Sequence, residues 1–299
     1  MAFLRESDPP SPEGNISSEV PTSPIPRSPE DLYLDLLKRT LSRAICARYR
    51  ERQTIDPGRW WVRFALQCVQ TILTELELEL VRVIRSTSDD YVESGDAAKN
   101  RMEDAETMLG TKQLDSMQSC IDDVLHKNVP GDLVEAGVWR GGMTILMRAA
   151  LKARGDATRL VWVIDSFSGL PEPEKRQDSF GWRQGDMAVS LETVKGNFMR
   201  YGLLDSQVVF VKGFFSATLP QAPIGPIAIL RVDADLYEST TDALNGLYHK
   251  LSIGGYAIFD DYQNLADCRR AIEEFRDKYG ISDPIVPIDR RAVYWQKSS

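Results

Sequence analysis

Leu230-Arg-Val-Asp-Ala-Asp-Leu-Tyr-Glu-Ser-Thr240 is the stretch that decides the fold. An apolar run from Ile224 to Val232, broken by Pro226 and Arg231, delivers two aspartates, Asp233 and Asp235, two positions apart. Further on, Gly254-Gly-Tyr-Ala-Ile-Phe259 delivers an adjacent pair, Asp260 and Asp261. Apolar runs of this length, bounded by turn residues and rich in β-branched or aromatic side chains, read as buried strands. Open α/β sheets bind ligands just beyond the carboxyl ends of their parallel strands. Four carboxylates at two such ends suit a hard cation that takes oxygen ligands.

Working outward, Asp132-Leu-Val-Glu-Ala136, Arg159 to Asp165 and Val208 to Lys212 read as three earlier strands. Helical patterns run between and after them, from Met143 to Arg154, Leu191 to Tyr201, about Thr241 to Leu251, and Ala266 to Tyr279. This alternation predicts an α/β protein with a doubly wound, Rossmann-like, mostly parallel sheet over residues 128–299. Ile285-Val-Pro-Ile288 and Ala292-Val-Tyr-Trp295 are expected to pair at its edge. The polar excursion from Phe167 to about Ser190, with Phe180, Trp182 and Arg183, is too long for a plain connector and suggests a substrate lid.

Ahead of this domain, residues 1–30 form a Pro- and Ser-rich segment expected to be a disordered tail. Residues 31–127 are expected to form a helical cap with a connecting loop. Ser28 is its first N-cap, with Pro29 at the first helical position and Leu32, Leu34, Leu36, Leu37 and Leu41 as an apolar face. A second helix is expected from about Gly58 to Ser86, a polar loop to about Asn100, and helix from Arg101 to Leu125 interrupted near Gly110. The apolar N-terminal helices suggest a homo-oligomer, a dimer or higher.

The net charge of -8 argues against nucleic acid as a partner. Cys46, Cys68, Cys120 and Cys268 stand far apart without CxxC spacing and read as small buried thiols. The most apolar N-terminal stretch, Trp60 to Leu73, contains Arg63 and two glutamines and falls short of the ~20 residues of a membrane span. No secretory apolar region opens the chain. A cytoplasmic, reducing location without a membrane partner is expected.

Glu135-Ala-Gly-Val-Trp-Arg-Gly-Gly142 is a Gly-rich turn between strand and helix, but it does not match GxGxxG. A glutamate ending the strand is awkward beside phosphate and welcome near a cation. Asp165 ends the second strand 23 residues after Gly142, close to the ~20-residue offset of an acid that binds a ribose diol. Ribose recognition without a phosphate loop suits S-adenosylmethionine, whose sulfonium is positive. The plainer alternative is that Glu135 and Asp165 cap helices, that Asp235 caps a helix beginning near Ser239, and that Asp260 and Asp261 make a turn. His126 and His249 both lie near helix C-termini, which the helix dipole favours, and neither suggests a base or a zinc ligand.

Four stretches taken together carry a resemblance: Val129 to Gly142, Asp165-Ser-Phe-Ser-Gly-Leu-Pro171, Arg231 to Thr240, and Gly254 to Tyr262. In this order they resemble the macrocin-type sugar O-methyltransferases, from about Asp31 to Lys297. The resemblance implies S-adenosylmethionine as methyl donor, Mg2+ as cofactor, and a small-molecule glycoside or other polyhydroxylated secondary metabolite as acceptor. It implies that Asp233, Asp260 and Asp261 hold the metal and that Asp235 is the general base. It places Glu135, Gly137, Asp165 and Ser166 at the donor, with Leu109 in a closing segment at Thr107 to Gly110, and Gly213 and Phe214 after the third strand. A catechol-type O-methyltransferase stays open, because a catechol offers magnesium the same vicinal diol. So do a metal-dependent glycosyltransferase using Asp233-Ala-Asp235 and a non-catalytic binding protein.

Overall fold

The structure, a computed structural model, describes residues 28–44, 105–174 and 178–299, together with the backbone of Arg48–Gln53 and Arg82–Thr87. Helix α1 (Pro29–Leu41) starts as its sequence dictates: the Ser28 hydroxyl accepts the Asp31 N–H at 3.2 Å, with Pro29 next and acidic residues in the first turn. Replacing such a cap by alanine costs about 1 kcal/mol. Leu34, Leu37 and Leu41 are buried, whereas Leu32 and Leu36 are exposed. Helical spacing brings only one stripe to the core, so five leucines cannot all reach it.

Strands β1 (Arg48–Gln53) and β2 (Arg82–Thr87) pair antiparallel. The helix expected to continue to Ser86 is therefore corrected at its end. Val83, Ile84 and Thr87 are β-branched, and a partner strand decides the outcome that local Leu- and Glu-rich sequence does not. The rest of that expected helix, most of the expected tail, the loop to Asn100, Arg101 to Asp104, Cys46 and Cys68 lie outside the described residues.

Helix α2 (Thr111–His126) follows Gly110. Residues 105–110 are irregular rather than helical. Their backbone bonds are made across the molecule: the Glu106 N–H donates to the Leu41 carbonyl, and its carbonyl accepts from Gly142 N–H, each at 3.0 Å.

Seven strands follow: β3 (Asp132–Ala136), β4 (Val161–Asp165), β5 (Val208–Lys212), β6 (Ile227–Val232), β7 (Leu251–Phe259), β8 (Val286–Pro287) and β9 (Val293–Gln296). They form one sheet in the order β5-β4-β3-β6-β7-β9-β8. The first five are parallel, and β9 runs antiparallel to both β7 and β8, the edge pair that the sequence predicts. Helices α3 (Gly142–Ala153), α4 (Leu191–Arg200), α5 (Phe215–Thr218), α6 (Tyr237–Leu247) and α7 (Ala266–Tyr279), with 3-10 turns at Leu219–Gln221 and Tyr248–Lys250, complete the described elements. Helix α6 starts and ends earlier than its pattern suggests, because Leu251 already opens β7.

Side-chain alternation divides each strand between two cores. Leu133, Val161, Val163 and Ile229 face one side with α1 to α4, while Val134, Trp162, Ile164 and Leu230 face the other with α6 and α7. Each fully buried Val, Leu, Ile or Phe side chain contributes about 1.5–3 kcal/mol. The strand order reverses direction at β3: the chain lays β4 and β5 on one side and then returns to place β6 and β7 on the other. This leaves a crevice between the carboxyl ends of β3 and β6. Gly137 keeps it narrow, with φ +89° and a Cβ position that would fall 1.7 Å from the Asp233 carbonyl oxygen.

Candidate active site

A cavity of about 530 Å³ opens over the carboxyl ends of β3, β4, β6 and β7. Glu135, Gly137, Asp165 and Ser166 line one end, and Asp233, Asp235, Asp260 and Asp261 line the other. Leu109 and Phe214 also face it. Gly213 stands behind the lining and donates its N–H to the Asp165 carbonyl at 2.9 Å.

At the first end, Asp165 organises the Gly-rich turn. One carboxylate oxygen accepts from the Val138 and Trp139 N–H groups at 2.9 and 3.3 Å, and the other from Phe167 N–H at 2.8 Å. Trp139 and Phe167 both adopt left-handed backbone, at φ 48° and 53°. Helix α3 begins only at Gly142 with Gly141 as its cap, so Asp165 holds the turn and does not cap that helix. A Cβ on Gly142 would lie 2.5 Å from the Glu106 carbonyl oxygen, so the 105–110 segment packs directly on the helix start. The Glu106 carboxylate anchors that segment to Arg43 at 2.9 Å and to the Tyr201 hydroxyl at 2.8 Å.

Glu135 is buried. Its Oε1 accepts from Arg231 Nη1 at 2.5 Å, and its Oε2 has no hydrogen-bond partner. Burial pushes its carboxyl up to about 8, against the opposing pull of the guanidinium.

At the second end, β6 stops at Val232, before either aspartate. Alternation along a strand is therefore not what brings Asp235 beside Asp233. Asp235 adopts φ 58°, a left-handed turn that costs a non-glycine residue about 1–3 kcal/mol. The turn folds the chain back so that one oxygen each from Asp233, Asp235 and Asp261 lies within 4.8 Å of the others. Asp235 does not cap α6 either: the cap residue is Leu236, and the Tyr237 N–H donates to Asp178 at 2.8 Å.

Asp260 stands outside that trio, with Oδ1 3.1 Å from Arg231 Nη2 and Oδ2 3.3 Å from Arg291 Nη2. Asp261 Oδ1 accepts from Arg291 Nη2 at 2.8 Å and from Asn264 at 2.9 Å, while its buried Oδ2 has no donor. Asp233 Oδ2 accepts from Arg231 Nη1 at 3.0 Å. Among the described residues, Asp235 alone of the four has neither a hydrogen bond to its carboxylate nor an ion pair. Burial raises all four carboxyls above their ordinary range, Asp260 to about 6. Asp235 is raised well above its ordinary value, by its burial and by repulsion from Asp261, Asp233 and Asp260.

Of the expected metal set, Asp233 and Asp261 thus meet in a trio that Asp235 completes, while Asp260 lines the same end of the cavity paired to two arginines. Reading by motif passed over Arg231, Arg291 and Asp178. Arg231 did carry a signal, since a charged side chain inside a buried strand needs buried partners. Arg291 and Asp178 lie in loops and carried none. The excursion after Phe167 is tied down at Ser179, whose N–H and hydroxyl both donate to Asp267 at 2.7 Å. It brings Phe180 and Trp182, ring centroids 5.0 Å apart, to the cavity wall. Its residues 175–177 lie outside the described residues.

A mostly parallel sheet of this order, with an acidic cavity at its reversal, places the chain in the class of open α/β proteins that bind ligands at that crevice. Comparison narrows the class. Residues 30–297 match the macrocin O-methyltransferase family, and the chain belongs to it. It is 52% identical over 201 residues to the 8-demethyl-8-(2,3-dimethoxy-alpha-L-rhamnosyl)-tetracenomycin-C 4'-O-methyltransferase of Streptomyces olivaceus, covering 65% of this chain and 77% of that one. It is 40% identical over 282 residues to the mycinamicin III 3''-O-methyltransferase of Micromonospora griseorubida, covering 92% and 99%. Among solved structures, the O-methyltransferase NovP superposes with a TM-score of 0.72 at 39% identity, covering 90% of this chain and all of that one. The protein is an O-methyltransferase. No described helix is long and apolar enough to cross a membrane.

Proposed function

We propose that this enzyme moves the methyl group of S-adenosylmethionine to a magnesium-bound hydroxyl on the sugar of an antibiotic-type natural product. The observation that carries the reading is the meeting of Asp233, Asp235 and Asp261 within 4.8 Å, in the cavity that Glu135 and Asp165 also line. The names of the relatives, which methylate a rhamnosyl tetracenomycin and mycinamicin III, support a sugar acceptor.

Magnesium fits this donor set. It prefers octahedral oxygen coordination, and the cluster offers only carboxylates, two of which keep a buried oxygen without a hydrogen-bond donor. Asp233, Asp260 and Asp261 would hold it. Bound there, the metal would supply Lewis-acid polarisation of the acceptor hydroxyl, which is otherwise almost wholly protonated and a poor nucleophile.

The remaining work falls to the chain. Asp235 accepts the hydroxyl proton on its carboxylate, for which the lack of any arginine partner leaves it free. Asp165, with Ser166 beside it, takes the donor ribose, and Glu135 faces the positive part of the donor. Leu109 and Phe214 press on the donor from the sides, with Gly213 supporting the Asp165 backbone. Position and alignment of sulfonium and oxygen then supply much of the rate. Phe180 and Trp182 cover the acceptor and exclude water.

Residues 128–299 form the catalytic domain in this reading, and residues 31–127 form a cap whose 105–110 segment covers the donor end. Exposed Leu32, Tyr33 and Leu36 on α1 support a homo-oligomer, measured by light scattering. The deciding experiment is mass spectrometry of hydroxylated glycosides incubated with isotopically labelled donor, with and without magnesium. Label must appear on a sugar oxygen and vanish on chelation; undiminished transfer under chelation overturns the metal assignment.

A further inference from the structure

We propose that Arg231 is a positioning residue that holds the donor end and the metal end of the site in a single frame, so that disturbing it weakens both ligands together. The inference rests on the functional reading above. Its geometric basis is independent of that reading. Arg231 sits in the middle strand of three, with Glu135 opposite it in β3 and Ile258 opposite it in β7, two positions before Asp260. Its side chain is 2% exposed, as is that of Glu135, and both residues line the cavity.

The guanidinium meets a different element with each contact. Nη1 lies 2.5 Å from Glu135 at the end of β3 and 3.0 Å from Asp233 just after β6, and Nη2 lies 3.1 Å from Asp260 at the end of β7. One planar group therefore spans the crevice from the residue assigned to the donor to two residues assigned to the metal. A rigid fork with five donors can do this, while a lysine ammonium, a compact point charge on a flexible stem, cannot hold three carboxylates at fixed mutual angles.

Charge points the same way. Glu135, Asp165, Asp233, Asp235, Asp260 and Asp261 all line the cavity, against the guanidinium groups of Arg231 and Arg291, and the two ligands assigned to it are both cationic. Arg231 stands between the places of these two cationic ligands and keeps their carboxylates from collapsing onto either one.

The test uses the full chain. Binding of adenosylhomocysteine is followed by calorimetry, and binding of Mn2+ by loss of the free-ion electron paramagnetic resonance signal. Arg231→Lys is expected to weaken both by about tenfold or more, the usual effect of removing a group that orients metal ligands. Adding Glu135→Gln in that background should add little further loss for the nucleoside. A purely structural role would lower the melting temperature and leave both affinities of the folded fraction intact.

Glu135→Gln alone supplies a second arm should the lysine variant fail to fold. This isosteric change is far from the metal carboxylates in sequence, yet the proposal expects Mn2+ affinity to drop several-fold. Unchanged Mn2+ affinity in folded Glu135→Gln, or wild-type affinity for both ligands in folded Arg231→Lys, overturns the role of the arginine. Wild-type protein that binds neither probe overturns the functional reading, and this inference with it.

Discussion

The two ends of one sheet use the same residue types to opposite effect. At the amino ends of the strands, Asp132 accepts from Leu160 N–H at 2.9 Å and from the Trp162 indole at 2.8 Å. Asp156 there takes bonds from the Thr158 and Arg159 N–H groups, the Thr158 hydroxyl and the Arg159 guanidinium. Burial works to raise the Asp156 carboxyl, yet these bonds together hold it below its ordinary value. At the carboxyl ends, Glu135, Asp260 and Asp261 each keep a buried oxygen without a hydrogen bond, that of Asp260 being only ion-paired to Arg231, and all three carboxyls are raised. The chain is able to satisfy carboxylates and does so where they tie the fold together. Where buried groups are left wanting, a ligand is the natural completion.

The largest expected effect tests the unsatisfied end. Asp233→Asn removes a carboxylate shared by the metal set and by Arg231, and should cut methyl transfer roughly 10³-fold or more, the scale of several kcal/mol of charge stabilisation. Labelled-donor turnover measures it, and near-wild-type turnover would mean that this end completes nothing. Asp235→Asn should lower kcat by ~10²–10⁴, the usual contribution of a general base. Mn2+ affinity should stay near wild type in that variant. If metal binding falls instead, Asp235 is a ligand, as its place in the 4.8 Å trio allows.

Asp165→Asn sharpens the comparison within the functional end, since its carboxylate is satisfied by amides of the Gly-rich turn. Losing charged hydrogen bonds of about 1.5–3 kcal/mol should weaken adenosylhomocysteine binding without touching Mn2+ affinity.

Two smaller effects belong to the amino end. Trp162→Phe removes the indole donor to Asp132 and should cost about 1 kcal/mol of stability in denaturant titration, with both ligand affinities unmoved. Asp156 contributes stability above its unfolded value near 3.8, and that contribution is lost as pH falls through its lower folded value. Asp156→Asn should therefore lower the neutral-pH melting temperature, where the carboxylate's contribution is fully present, and flatten the stability loss below about pH 4. An acid limb identical to wild type would remove Asp156 from the account.

Much of the sheet was legible because strand and helix periods are local. The apolar runs ending at Ala136, Asp165, Lys212, Val232 and Phe259 predict five strands, and Ser28-Pro29 predicts the start of α1. The β1–β2 pairing was not legible, because the two strands are short, rich in arginine and without an apolar alternation, so only the partner strand marks them. The irregular 105–110 segment escaped for a related reason: its backbone bonds are made to Leu41 and Gly142, far from it in sequence. In the site, the identities of the carboxylates could be read, but not how Asp233 and Asp235 meet, because β6 ends at Val232 and a turn takes over from it.

By itself the sequence determined which side chains stand at the strand ends, since apolar patterning sets where each strand stops and a polar residue emerges. Only the tertiary structure decided which of them meet. Arg231 and Glu135 lie 96 positions apart and come together through parallel pairing across the reversal of strand order. Asp235 joins Asp233 and Asp261 through a left-handed turn that the surrounding packing must hold. Such contacts depend on the summed geometry of several elements, and no local period records it.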